Sequence, residues 1–327
     1  MELTHKDLYE YQIVTDNILF VDGVSRTGKA MLNNILLGFD NISSIQFINA
    51  MEQLMPMYIH GKLDKNAFSA FLRLYFNENF YNYQLSRNIN FRYDDLTSIH
   101  RTKNPTEFYK NLAKQDGDAI IDELKSENTL FQFQTHDLLT HYSSFLELGI
   151  HAQVIELFRH PADTIHSWYS RGWGKRFDNV DPRSATTLFQ YKGHAIPHYV
   201  IGHEEKYIQL NEMEKCAFMH NLLVRKSIYE YNKLAESEKK KILILRYEDL
   251  LVQPEKEIDK MSDFLKIDKT SHIIKSMQDA RVPRIIDESK RSVKINDIQA
   301  LVNDEIMNDV LELANDYENN FYQLRMY

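Results

Sequence analysis

The sequence predicts a three-layer α/β fold, a central and mostly parallel sheet with helices on both faces, and three observations carry that prediction. Short apolar or aromatic runs recur along the chain, NILFVD (17–22), TLFQFQ (129–134), QVIELF (153–158) and KILIL (241–245). At least one helical stretch separates each run from the next, which makes βαβ units and a parallel sheet. The 327 residues, 43% of them hydrophobic, suffice to bury a full core. They read as a single domain, 1–327, with helical inserts at about 48–128 and 170–240.

In such sheets ligands gather beyond the carboxyl ends of the strands, so the residues just after each strand are the informative ones. The first strand runs into Gly23-Val-Ser25-Arg26-Thr27-Gly28-Lys29-Ala30 and then a helix. Two glycines let this backbone turn tightly and aim N–H groups at an anion on the helix N-terminus. The loop fits the P-loop pattern G-x-x-x-x-G-K-[ST] except at Ala30, where the hydroxyl that holds Mg²⁺ in triphosphatases and kinases is missing. A nucleotide whose chemistry needs no metal is therefore expected, and no metal ligand set is assigned.

Residues 42–47 form a second short strand by this reading, and 50–83 are helical in period and crowded with Phe and Tyr. That belt (Tyr58, Phe68, Phe71, Tyr75, Phe76, Phe80, Tyr81, Tyr83) recurs at three- and four-residue steps, as a core face does, and it also suits an acceptor-pocket wall. Thr135-His136-Asp137 follows TLFQFQ, and the helix after it ends at Gly149 as a C-cap. Arg159-His160-Pro161 follows QVIELF, with a helix opening at Pro161 and Ser167 eight residues beyond Arg159. A guanidinium and a hydroxyl so spaced suit a second phosphate. Residues 170–203 read as an irregular lid, 204–235 as one long helix, and Arg246, Glu248 and Asp249 after KILIL as mainly structural.

The balance of 39 basic to 47 acidic residues, net charge −8, argues against a nucleic-acid or anionic-membrane binder. Cys216, the one cysteine, excludes an internal disulfide and suits a reducing compartment. The start MELTHKDLYEYQ lacks a secretory pattern, and no integral membrane segment is legible. A cytoplasmic protein is expected, of unknown oligomeric state. Of the lid histidines His194, His198 and His203, none has a Cys or carboxylate at ligand spacing, so zinc is not expected there.

Four segments in order resemble one family, the sulfotransferases that use 3′-phosphoadenosine 5′-phosphosulfate (PAPS). GVSRTGKAML resembles its 5′-phosphosulfate loop, and FQFQTHDLL its strand ending in Lys-Thr-His. LFRHPADTIHSWY resembles its 3′-phosphate motif, and RYEDLLVQPEKEIDKMSDFL its R-Y-E-D-L-x-x-x-P segment. The resemblance implies PAPS as sulfuryl donor and adenosine 3′,5′-bisphosphate as product. It places the donor on Gly23, Ser25, Arg26, Thr27, Gly28, Lys29 and Ala30, with Arg159 and Ser167 on the 3′-phosphate. It further implies Arg26 at the transferring group, His136 as catalytic base, and Lys290 and Arg291 beside the nucleotide. The acceptor it implies is a small molecule or carbohydrate bearing a hydroxyl or amine. Two departures stand out: Lys29 and Ala30 replace the family's hydroxyl residues, and Gln134 replaces a frequent Lys. Competing readings are a P-loop small-molecule kinase and a non-catalytic nucleotide-binding relative. The plain structural reading makes the loop a tight connection, His136 a helix-terminal histidine, and Arg159 the partner of a core carboxylate.

Overall fold

A computed structural model describes residues 8–102, 105–178, 186–319 and 321. Five strands form one parallel sheet: β1 (Ile18–Asp22), β2 (Gln46–Phe47), β3 (Phe131–Gln134) and β4 (Gln153–Phe158), with the fifth, Ile242–Arg246, completing it as β7 after an intervening hairpin. That hairpin is β5 (Leu188–Tyr191) and β6 (His194–Pro197), paired antiparallel. The sheet order is β2-β3-β1-β4-β7, so β1 lies between β3 and β4 and the winding reverses beside it. Residues 18–21 of β1 pair with 131–134, and residues 19–22 pair with 153–156. The reversal opens a crevice at the carboxyl end of β1, where the glycine loop begins.

Alternation along the strands divides the core in two. Ile18 and Phe20 face one side, where Phe68, Phe76 and Phe80 of α3 (Lys65–Gln84) meet Phe131, Phe133 and Phe145. Leu19 and Val21 face the other, against Leu32, Ile35 and Leu36 of α1 (Lys29–Leu36) and the helix Pro254–Leu265. Of the aromatic belt, the three α3 phenylalanines are wholly buried and Tyr58, Tyr75, Tyr81 and Tyr83 pack partly buried against them, whereas Phe71 is exposed, so the belt is a core face along one side only.

Some expected elements are divided. The 50–83 helix is two, α2 (Asn49–Ile59) and α3, because Asp64 caps the second by accepting from Ala67 N at 2.8 Å. The 204–235 helix is also two, Glu204–Tyr207 and Glu212–Lys233, separated where Asn211 and Glu214 form a capping box. The strand expected at 42–47 shrinks to Gln46–Phe47 plus one bridge from Ile42 to Leu130. Part of the lid is the hairpin, turned by Lys192 and Gly193 at φ 47° and 86°, and residues 179–185 of the lid lie outside the described residues. Among the described residues no helix is long and apolar enough to cross a membrane.

Candidate active site

Because the sheet is parallel, the loops after β1, β3, β4 and β7 emerge on one edge. Gly23 and Gly28 are the two positions that glycine alone satisfies. At φ 127° a Gly23 side chain would strike the Leu157 carbonyl, and at φ 107° a Gly28 side chain would strike the Tyr247 ring. The loop therefore packs against β4 and against the residue that follows β7. Thr27 Oγ1 donates to Val24 O at 3.0 Å, closing the loop on itself.

Lys29 turns inward. Its buried ammonium donates to the carbonyl oxygens of Gly23 and Val24, the latter at 3.1 Å. Burial lowers its pKa, and Asp22 and Glu156 beneath the loop oppose that shift. Burial and then Asp22 push the Glu156 carboxyl well above the ordinary carboxyl range. Asp22 Oδ2 also accepts from Leu139 N at 2.7 Å, fastening the chain after β3 to the end of β1. Ala30 is exposed at the start of α1.

Three guanidinium groups converge outside the loop. Arg26 Nε stands 3.4 Å from Ser167 Oγ, and Arg171 Nη1 donates to the same hydroxyl at 3.0 Å. Arg159 Nη1 donates to Arg26 O at 2.9 Å, its guanidinium lies 4.7 Å from the Tyr247 ring centre, and its buried Nε has no partner among the described residues. Burial and the charges of Arg171 and Arg159 lower the Arg26 pKa. Such mutual repulsion is relieved by an anion. Trp168 Nε1 donates to Ser25 O at 2.8 Å, locking the helix Pro161–Tyr169 onto the loop. Arg284 Nη2 reaches the Tyr247 hydroxyl at 3.4 Å from the far side.

His136 lies on the other side of Ser25. Its Nδ1 is 2.9 Å from Glu52 Oε1 of α2, and both side chains line a cavity of about 270 Å³. Ser25, Asp137, Trp168, Trp173, Phe177 and Tyr199 share that wall, so the glycine loop and His136 border one chamber. Its aromatic surface comes from the lid and neighbouring helices, and none of the α3 belt enters it. Gln134 faces away: Asn33 of α1 donates to its Oε1 at 2.7 Å.

Arg26, Arg159 and Ser167 are thus brought together with the loop, and His136 adjoins them through Ser25. Lys290 and Arg291 are engaged elsewhere. Lys290 is exposed and pairs with Asp287 at 3.2 Å. Arg291 is buried and pairs with Asp163 at 3.2 Å, Glu288 at 3.0 Å and Glu248 at 3.4 Å. Of the residues after the last strand, Arg246 stacks on Tyr317, and Glu248 accepts from His160 N at 3.2 Å. Four residues near the loop and chamber escaped sequence reasoning in these places: Glu52, Arg171, Tyr247 and Arg284. Only Tyr247 carried a local signal, as the Tyr of R-Y-E-D.

The sulfotransferase domain family model matches residues 20–287. Comparison with curated proteins finds no match. Among solved structures, the chain is similar to the sulfotransferase domain of the Synechococcus PCC 7002 olefin synthase, at 14% identity and TM-score 0.46, covering 92% of this chain and 94% of that one. It is also similar to the sulfotransferase domain from the curacin biosynthetic pathway, at 14% identity and TM-score 0.47, covering 91% and 97%. A sulfotransferase from Mycobacterium avium aligns at 9% identity and TM-score 0.40 over 89% and 78%. With the family model spanning from β1 through the strand-end loops to the segment after the last strand, the chain belongs to the sulfotransferase domain family.

Proposed function

We propose that the protein transfers a sulfuryl group from PAPS to a hydroxyl or amine of a small acceptor held beside His136. The observation that carries this reading is the shared chamber: Ser25 of the glycine loop and His136 line the same cavity, with three arginines at the loop's outer side. The residues fit a nucleotide carrying two anionic groups. The buried Nε of Arg159, orphaned among the described residues, is a feature an anion satisfies, and the loop amides open the helix α1 where an anion is favoured. Loop amides from Gly23 to Gly28 would hold the 5′ side, and Arg159 with Ser167 the 3′-phosphate. When bound, PAPS supplies an activated sulfuryl group.

The chain's own residues then do four things. Arg26 supplies positive charge where negative charge develops on the bridging oxygen. His136 takes the acceptor's proton at Nε2, a contribution of roughly 10²- to 10⁴-fold in rate. Glu52 holds the Nδ1 side of that ring, so the proton-accepting nitrogen faces the cavity. Lys29 neutralises the acidic pair under the loop and keeps the loop closed around Gly23 and Val24. The aromatic cavity suits a flat or ring-bearing acceptor, a sugar included. We read residues at about 48–128 and 170–240 as helical inserts of this one catalytic domain, acting in the cytoplasm.

The test is transfer of radiolabel from ³⁵S-labelled PAPS to mixtures of phenols, sugars and amino alcohols. Label should appear in at least one acceptor class and vanish with His136→Ala. Absence of transfer or of acceptor-independent PAPS cleavage, together with ATP-driven labelling of the same mixtures, would support the kinase reading instead.

A further inference from the structure

At the cavity wall stands a cluster that the proposed sulfuryl transfer does not use. Asp137 follows β3, His141 lies one helical turn further on, and His198 follows β6. Each offers a ligand atom, and these atoms all lie within 4.8 Å of one another. Asp137 Oδ2 is 3.2 Å from His198 Nε2, and the two imidazole rings stand 5.6 Å apart, centre to centre. Both histidines are buried, at 5% and 4% exposure, and His141 Nε2 and His198 Nδ1 have no partner among the described residues. Two buried imidazoles with orphaned nitrogens beside a carboxylate are costly to leave unsatisfied.

We propose that Asp137, His141 and His198 form a zinc site whose open fourth position faces the acceptor cavity. Two imidazoles and a carboxylate are a borderline-soft donor set suited to this ion, and three protein ligands leave one position for water or an acceptor atom. Ligand atoms around tetrahedral zinc stand ~3.3 Å apart given bonds of ~2.0 Å, so the cluster needs to contract by at most ~1.5 Å. Asp137 and His198 both line the cavity, which gives the ion its route of entry and places it beside His136. One feature opposes the ion: Lys226 Nζ lies 3.2 Å from His141 Nδ1, on the ring's other side. Its charge weakens the site without occupying a ligand position. The site stands on these residues alone and does not depend on PAPS as donor.

Zn²⁺ alone is the probe, titrated calorimetrically into full-length protein stripped with EDTA, with metal content after dialysis measured in parallel. One ion per chain is expected, with affinity lowered at least tenfold by His141→Ala and by His198→Ala. Lys226→Gln, which removes the opposing charge and keeps a hydrogen-bonding group, is expected to tighten binding severalfold. Co²⁺ in the unmodified chain should give the intense visible bands of a four-coordinate site, a readout that needs no variant to fold. Sub-stoichiometric binding with no such bands overturns the proposal. So does full binding retained in both folded histidine variants.

Discussion

Glu52 and His136, 84 residues apart in sequence, meet at 2.9 Å across the mouth of the cavity. The carboxylate fixes which imidazole nitrogen points at the acceptor and balances the positive charge the ring gains when it takes a proton. Glu52→Gln keeps an acceptor atom but removes the charge. A charged hydrogen bond of about 1.5–3 kcal/mol is then lost from the transition state, so kcat should fall roughly 10- to 10²-fold. KM for PAPS should hardly change. A KM effect as large as the kcat effect would make Glu52 a structural prop of the donor site.

Arg171 was legible only as part of the lid, yet it donates to Ser167 Oγ at 3.0 Å and repels Arg26. Arg171→Ala should weaken adenosine 3′,5′-bisphosphate by about tenfold or more, the worth of one charge-assisted contact. Affinity for adenosine 5′-monophosphate should change less. Equal loss for both nucleotides, measured by competition, would place Arg171 away from the 3′-phosphate.

Gly28 at φ 107° lies against the Tyr247 ring. Gly28→Ala brings both a strained backbone and an atomic clash, so urea unfolding should show a loss of about 1–3 kcal/mol. Bisphosphate affinity should fall with it, since the same strain displaces the loop amides. Unchanged stability would mean that the loop relaxes freely.

His220 is wholly buried in the helix Glu212–Lys233, its Nδ1 bonded to Asn221 at 3.0 Å. Burial pushes its pKa from 6.5 down to about 4. The folded state thus refuses a proton that the unfolded chain accepts, so stability is intact above pH 6.5 and declines as pH falls from 6.5 toward about 4. His220→Gln should make that acid limb shallower by about 1.4 kcal/mol per pH unit, the value of one proton. An unaltered slope in urea melts across this window would show that other groups govern acid unfolding.

What the sequence revealed was local. Strands β1, β3, β4 and β7 announce themselves because each is a short apolar run bounded by turn or helix signals, and the loop Gly23 to Lys29 carries its function in adjacent residues. Contacts that depend on the sheet's winding stayed hidden. Glu52 reads as an ordinary helix carboxylate until α2 is laid beside the end of β3, and Arg284 as a surface cation until it reaches the Tyr247 hydroxyl. Lys29 was misleading for a physical reason: its pattern points to phosphate, but buried Asp22 and Glu156 beneath the loop draw the ammonium inward. The division of 50–83 at Asp64 was within reach, since Asp three residues before Ala67 is an N-cap signal overridden by the aromatic period. The same holds for the hairpin turn at Lys192-Gly193.

The central claim is that this loop and its arginines bind a nucleotide phosphorylated on both sides, without Mg²⁺. Calorimetric titration of adenosine 3′,5′-bisphosphate and of ATP, each with and without Mg²⁺, addresses it most directly. The account predicts tight binding of the bisphosphate that is indifferent to Mg²⁺ and falls at least tenfold in Arg159→Ala. Preference for ATP that appears only with Mg²⁺ would contradict it.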